Sequence, residues 1–154
     1  MLEIAVPGRG ALSIAHLVLD VNGTLALDGA LLPGVKPRLD ALREQVQIHL
    51  LTADTHGKQA ALDAELGLQA TIIRHGASEK GAYVLGLGGE QVAAVGNGAN
   101  DIAMFNAAGL RIAVLGPEGL AAPLVAAADV LVRDIADGLD LLLYPSRLVA
   151  TLRR

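Results

Sequence analysis

The sequence contains no cysteine and no tryptophan. Without cysteine, disulfides, thiolate catalysis and Cys-ligated zinc are excluded. Aromatic side chains are scarce, with one Phe and two Tyr, so recognition of single-stranded nucleic acid by base stacking has almost nothing to work with. Basic residues number 12 against 16 acidic ones, for a net charge of −4. None of the basic residues forms a block long enough to track a phosphate backbone, and the pair Arg153-Arg154 is too short to count. Hydrophobic residues make up 53% of the chain, yet no uncharged apolar run reaches the length of a membrane span. The opening MLEIAVPGRG carries Glu3 and lacks the positive lead and long apolar segment of a secretory signal. These absences predict a cytoplasmic protein with no nucleic-acid partner and no membrane partner.

What is present is a repeating alternation. The 154 residues suit one domain with a core of Leu, Val, Ile and Ala. Leu2–Val6 and Ala11–Ile14 flank the turn residues PGRG, which predicts an N-terminal hairpin over residues 1–15. His16–Val21 is a dense Val/Leu run without polar alternation, the pattern of a parallel strand buried on both faces. Asp28-Gly29 between short apolar runs predicts a small flap hairpin over residues 25–33. Strand-like and helix-like segments then alternate to the C-terminus with short connections, among them helices predicted over Ser78–Gly86 with Ser at its start, over Gly119–Ala127, and over Asp134–Leu143 with an acidic cap. The expectation is an α/β fold: one Rossmann-like domain over residues 1–154, a mostly parallel sheet with helices on both faces, and no sizeable cap domain.

In an open parallel sheet, ligands gather at the carboxyl ends of the strands. Three predicted strands end in small or polar groups there. LVLD ends at Asp20 before VNGT, IHLL ends at Thr52, and VAAV ends at Gly96-Asn97-Gly98, with Asn100-Asp101 opening a helix. A carboxylate, a hydroxyl and an Asn/Asp cluster are parts for phosphoryl transfer. A carboxylate attacks phosphorus when the phosphoryl charge is neutralised and held in line. That chemistry needs a divalent cation, donors to the phosphoryl oxygens and a lysine as a point charge. Lys80, in SEKGAYV near a predicted helix start, is the candidate lysine. Two glycine-rich alternatives fail. GNGAND has Asp101 where a dinucleotide fingerprint needs its third Gly, and Gly29–Gly34 continues with Val35 rather than Lys-Ser/Thr.

The segments LVLDVNGTLALDG, LLTADT, SEKGAYV and GNGANDIAM, in that order, resemble the four motifs of the haloacid dehalogenase-like superfamily. Within it they are similar to the small soluble relatives of the P-type ATPase phosphorylation domain. The resemblance implies a hydrolase of the phosphatase type, dependent on Mg²⁺, acting on a phosphorylated substrate. It implies that Asp20 is the nucleophile and a metal ligand, and that Asn22 offers its backbone carbonyl to the metal. It implies that Thr52 hydrogen-bonds the phosphoryl group and Lys80 stabilises its charge. Asn97 and Asp101 would hold Mg²⁺ directly or through water. Two positions depart from the family pattern. Asn22 stands where phosphatases carry the Asp that moves protons, and Asn97 stands where a metal-binding carboxylate is usual. The same two losses fit a rival class, a regulatory module that binds a phosphoryl group or ligand without turning it over. An open cleft without a cap favours macromolecular substrates or shielding by a homo-oligomer through the flap or the N-terminal hairpin.

Outside the motifs, Asp54 reads as a cap for the helix that follows it, and His56 as a surface or loop residue. Arg74, His75 and Tyr83 are placed by sequence position alone as substrate contacts.

Overall fold

Short aliphatic runs with polar stops build six parallel strands, and the stops align along one edge. The computed structural model describes residues 1–55 and 57–154; His56 lies outside the described residues. The sheet contains β3 (His16–Asp20), β6 (Gln47–Thr52), β7 (Thr71–Ile72), β8 (Val92–Gly96), β9 (Leu110–Val114) and β10 (Val130–Val132), in the order β10-β9-β8-β3-β6-β7. All neighbouring pairs are parallel. The chain therefore starts at β3 in the middle, builds outward to β7, then returns to the other side of β3 at β8. The strand order reverses between β3 and β8, which is where open α/β sheets leave a crevice. Leu19 sits level with Leu50 of β6 and Val95 of β8. That register brings Asp20, Thr52 and Asn97 to the same edge.

The two faces of the sheet follow from strand alternation. Leu17 and Leu19 point into one core with residues of α1 (Val35–Leu42), α2 (Gln59–Leu66), α6 (Ile135–Leu143) and α7 (Pro145–Leu152). Val18 points the other way, into a core with Val84 of α3 (Ala77–Gly86), Met104 and Phe105 of α4 (Ile102–Ala107) and Leu124 of α5 (Ala122–Ala127). The strands of the middle are apolar on both sides because both sides are covered.

The N-terminal hairpin forms from β1 (Leu2–Val6) and β2 (Gly10–Ile14), in register Leu2–Ile14 to Val6–Gly10. Its inward residues Leu2, Ile4, Val6, Leu12 and Ile14 join the first core. The hairpin thus buries its apolar face within its own chain. The flap is β4 (Ala26–Leu27) and β5 (Ala30–Leu31). Its turn residues Asp28 and Gly29 both have positive φ, as a tight hairpin turn requires. Lys58 donates to the Asp28 carbonyl at 3.0 Å and ties the flap to the start of α2.

Two helices start elsewhere than the sequence predicts. The helix expected over 119–127 begins at Ala122. Pro123 fits only a first turn, and residues 116–119 close a separate turn, with Gly119 N–H donating to Gly116 O at 2.9 Å. Ser78 was expected to open α3, yet the helix begins one residue earlier, behind Gly76, and Ser78 makes no cap bond. Glu79 instead holds the turn before the helix, accepting from the backbone N–H groups of Arg74 and His75 at 2.8 and 2.7 Å. Asp134 caps α6 as its position suggests, accepting from Asp137 N–H at 2.8 Å.

Candidate active site

β3 delivers Asp20 to the sheet edge with 6% of its surface exposed. Each of its carboxylate oxygens has a donor. Lys80 Nζ lies 2.7 Å from Oδ1, and Thr24 Oγ1 donates to Oδ2 at 3.1 Å. Lys80 comes from α3 and is buried to 2% exposure. It also donates to Asp101 Oδ1 at 2.7 Å. Asp101 is fully buried, and its second oxygen accepts from the backbone N–H groups of Asn97 and Gly98 at 3.1 and 3.0 Å. It therefore shapes the turn after β8 and anchors Lys80, and both its oxygens are occupied within the protein.

One ammonium faces two carboxylates. Burial pushes the Asp20 carboxyl up to about 7, the nearby Asp101 charge adds to the rise, and Lys80 and Thr24 oppose it. Burial works to lower the Lys80 ammonium, but the charges of Asp20 and Asp101 outweigh it and hold the group above the ordinary lysine value. Burial raises Asp20 and opposes the rise at Lys80, and the two carboxylates facing one ammonium decide the rest.

Lys80 reaches this point because α3 packs closely on α4. A Cβ on Gly81 would lie 3.1 Å from both the Cβ and the carbonyl oxygen of Ala103. Gly81→Val is expected to push the helices apart and draw Lys80 from its carboxylates. Overpacking of this kind costs about 1–3 kcal/mol. Thermal melts should show the loss, and an unchanged melting temperature would refute the close-packing role.

On the other side of Asp20, Thr52 ends β6. Its hydroxyl oxygen accepts from Asn22 Nδ2 at 3.3 Å and from Asp54 N–H at 3.0 Å. With two bonds accepted, the hydroxyl proton remains to be donated elsewhere. Asp54 also accepts from the Gln59 N–H at 3.1 Å, so it caps the start of α2.

A cavity of about 220 Å³ opens at this edge, and Asp20, Asn22, Asn97, Gly98, Asn100 and Glu118 are among the residues that line it. Of the residues singled out from the sequence, Asp20, Asn22 and Asn97 reach the cavity wall. Thr52, Lys80 and Asp101 stand behind and beside it. Tyr83 is engaged elsewhere, with its hydroxyl 2.9 Å from His49 Nδ1, and Arg74 and His75 are not part of the wall.

Three residues of the site escaped sequence reading. Thr24 is fully buried and bridges Asp20 Oδ2 and Asn97 Oδ1, at 3.1 Å to each. Asn100 and Glu118 line the cavity. Glu118 sits in Gly116–Gly119, at the end of β9. Its place just past a strand end, like those of Asp20, Thr52 and Asn97, is the sequence signal that marks it.

Oxygen-bearing residues on the cavity wall include Asp20, Asn22, Asn97 and Glu118. Among the described residues no three His, Cys, Asp or Glu side chains converge as a metal cluster. Mg²⁺ does not need one. It takes hard oxygen ligands, commonly one or two carboxylates, and keeps several waters. The all-oxygen donor set fits that ion.

The sequence pattern of the haloacid dehalogenase-like hydrolases matches residues 5–109. An uncharacterized protein of Methanocaldococcus jannaschii is 44% identical over 64 residues, which is 42% of this chain and 69% of that protein. Among solved structures, a protein from Streptomyces avermitilis named as a HAD family hydrolase superposes with a TM-score of 0.70 at 23% identity, covering 87% of each chain. The 3-deoxy-D-manno-octulosonate 8-phosphate phosphatase of Moraxella catarrhalis, solved with magnesium, phosphate and the sugar acid KDO, superposes with a TM-score of 0.65 at 20% identity, covering 91% of this chain and 94% of that one. At these identities the structural likeness concerns the fold.

Proposed function

This chain belongs to the haloacid dehalogenase-like hydrolase family, and from that premise we propose that it is a Mg²⁺-dependent phosphohydrolase that carries the phosphoryl group on Asp20. The observation that carries this reading is the position of Asp20. It stands on the cavity wall at the end of β3, with one oxygen on Lys80 and the other on Thr24.

In the first step the Asp20 carboxylate attacks the phosphorus of a phosphate monoester. The new O–P bond forms as the bond to the leaving group breaks. In the second step water attacks the same phosphorus, the bond to Asp20 breaks, and orthophosphate leaves. The Thr52 hydroxyl, whose oxygen already accepts two bonds, donates its proton to a phosphoryl oxygen. Lys80 supplies a fixed positive charge beside the nucleophile. Asp101 holds Lys80 in place and fixes the turn that carries Asn97. Asp20, the Asn22 carbonyl and the Asn97 amide oxygen would hold the metal, with Asp101 supporting Asn97 from behind. Mg²⁺, when bound, would neutralise charge on the phosphoryl oxygens. The magnesium and phosphate in the Moraxella enzyme support this choice of ion.

Asn22 cannot give or take a proton at either step. Turnover is therefore slow, and the second step, which depends on an activated water, is the slower one. The test is hydrolysis of p-nitrophenyl phosphate with Mg²⁺. Wild type should release nitrophenolate, and Asp20→Asn should fall to the rate without enzyme. Equal activity in the two proteins would end the proposal.

A further inference from the structure

Asn97 leaves the site short of a carboxylate, and the turn after β9 places one beside it. Glu118 lies in Gly116–Gly119, and this segment and the residues just after it are each tied to Asn97 once. Asn97 Nδ2 donates to Gly119 O at 3.1 Å, and Ala121 N–H donates to Asn97 O at 2.9 Å. The turn is closed by Gly119 N–H on Gly116 O at 2.9 Å, so Glu118 projects from a braced loop. Its carboxylate and the Asn97 amide crowd the same space over Gly23. A Cβ on Gly23 would lie 2.4 Å from Glu118 Oε2 and 2.8 Å from Asn97 Nδ2. Glu118 lines the cavity that Asp20, Asn22 and Asn97 line. Among the described residues it has no hydrogen-bond or ion-pair partner.

We infer that Glu118 supplies the second carboxylate of the cation site, in place of the acid missing at Asn97. The inference rests on the proposed Mg²⁺-dependent chemistry at Asp20. Three observations carry it. First, Glu118 approaches from the Asn97 side, whereas the Asn22 side chain is turned to Thr52 on the other side. It therefore compensates the charge lost at residue 97, rather than the proton carrier lost at residue 22. Second, Asp101 is fully buried behind the cavity wall, holding Lys80 and two backbone N–H groups, whereas Glu118 stands on the wall. Third, Asp20 with Glu118 makes two carboxylates, the usual complement for an ion that keeps waters. Gly23, with φ +80°, is needed both for its turn and for the room the Glu118 carboxylate takes.

The test is Mg²⁺ binding by titration calorimetry on the intact protein, with no substrate present. Glu118→Gln keeps the size of the side chain, and the residue is solvent-exposed, so the fold is retained. The expected result is Mg²⁺ affinity about 10-fold or more below wild type, within the ~10–100-fold range seen when a metal site loses a supporting group. Adding Asn97→Asp to Glu118→Gln should restore binding toward the wild-type value. Asp20→Asn is the control for the site itself. If wild type binds Mg²⁺ and Asp20→Asn weakens it while Glu118→Gln does not, the role of Glu118 is overturned and the Asp20 chemistry stands. If Glu118→Gln lowers kcat with unchanged Mg²⁺ affinity, Glu118 belongs to proton transfer and the inference is overturned. If wild type binds no Mg²⁺, both the inference and the metal dependence beneath it fall.

Discussion

Asn22→Asp is expected to raise phosphatase turnover by about 10²–10⁴-fold, the usual contribution of a positioned acid or base. The substitution changes one atom type at a side chain that already lines the cavity and already reaches toward Thr52. The gain should not be uniform. Nitrophenolate leaves readily without a proton, so wild type should form the Asp20 phosphoenzyme quickly and lose it slowly. Rapid mixing should then show a burst of about one nitrophenolate per site followed by a slow steady rate. In Asn22→Asp the burst should disappear as the second step accelerates. With an alkyl phosphate, whose leaving group needs a proton, both steps should gain. A variant whose rate stays within twofold of wild type on both substrates would show that residue 22 is not the acid–base position.

Lys80→Met is expected to destabilise the protein by about 3–5 kcal/mol at pH 8, the range for removing one partner of a buried ion pair. Lys80 is the cation shared by Asp20 and Asp101, and methionine fills most of its volume without its charge. The loss should be smaller at pH 5. Burial and Asp101 raise the Asp20 carboxyl to about 7 even with Lys80 present. Between its ordinary value of 3.8 and about 7, the folded chain binds a proton that the unfolded chain has released. Stability from this group therefore falls as pH rises through that window, by up to ~1.4 kcal/mol per pH unit. Lys80 is held above the ordinary lysine value, so its own contribution is complete across this range and is lost only at strongly alkaline pH. Removing it raises the Asp20 carboxyl further, and the cost grows with pH. Melting curves at pH 5 and pH 8 should show the larger drop at pH 8, and equal drops at both would refute the charge-sharing account.

Much of the fold was legible because its signals are local. The apolar runs of β3, β6 and β8 read as buried parallel strands, and they are. Asp28-Gly29 marked the flap turn and Asp134 marked the start of α6. Misplaced starts, at α5 and α3, share a cause. Pro123 and Glu79 act on backbone groups several residues away, through geometry not visible in the string of letters.

The candidate site divides in the same way. Asp20, Thr52 and Asn97 could be found because each ends a strand, and Lys80 because its motif follows in order. Thr24 was passed over because its value lies in two bonds to residues 4 and 73 positions away. Glu118 belongs to a turn outside every motif, and only the pairing of β9 with β8 brings that turn to Asn97.

By itself the sequence determined the strand–helix alternation, the parallel sheet and the presence of a strand-end carboxylate beside two amides. Periodicity and turn chemistry act over a few residues, and so they survive being read in one dimension. Only the tertiary structure decided how the charges are shared. It set one lysine between two buried acids, closed Asp101 off from the cavity and left Glu118 facing it. Those outcomes depend on distances between strands and on exclusion of water. Both arise when the sheet is covered on its two faces and its ends are brought level.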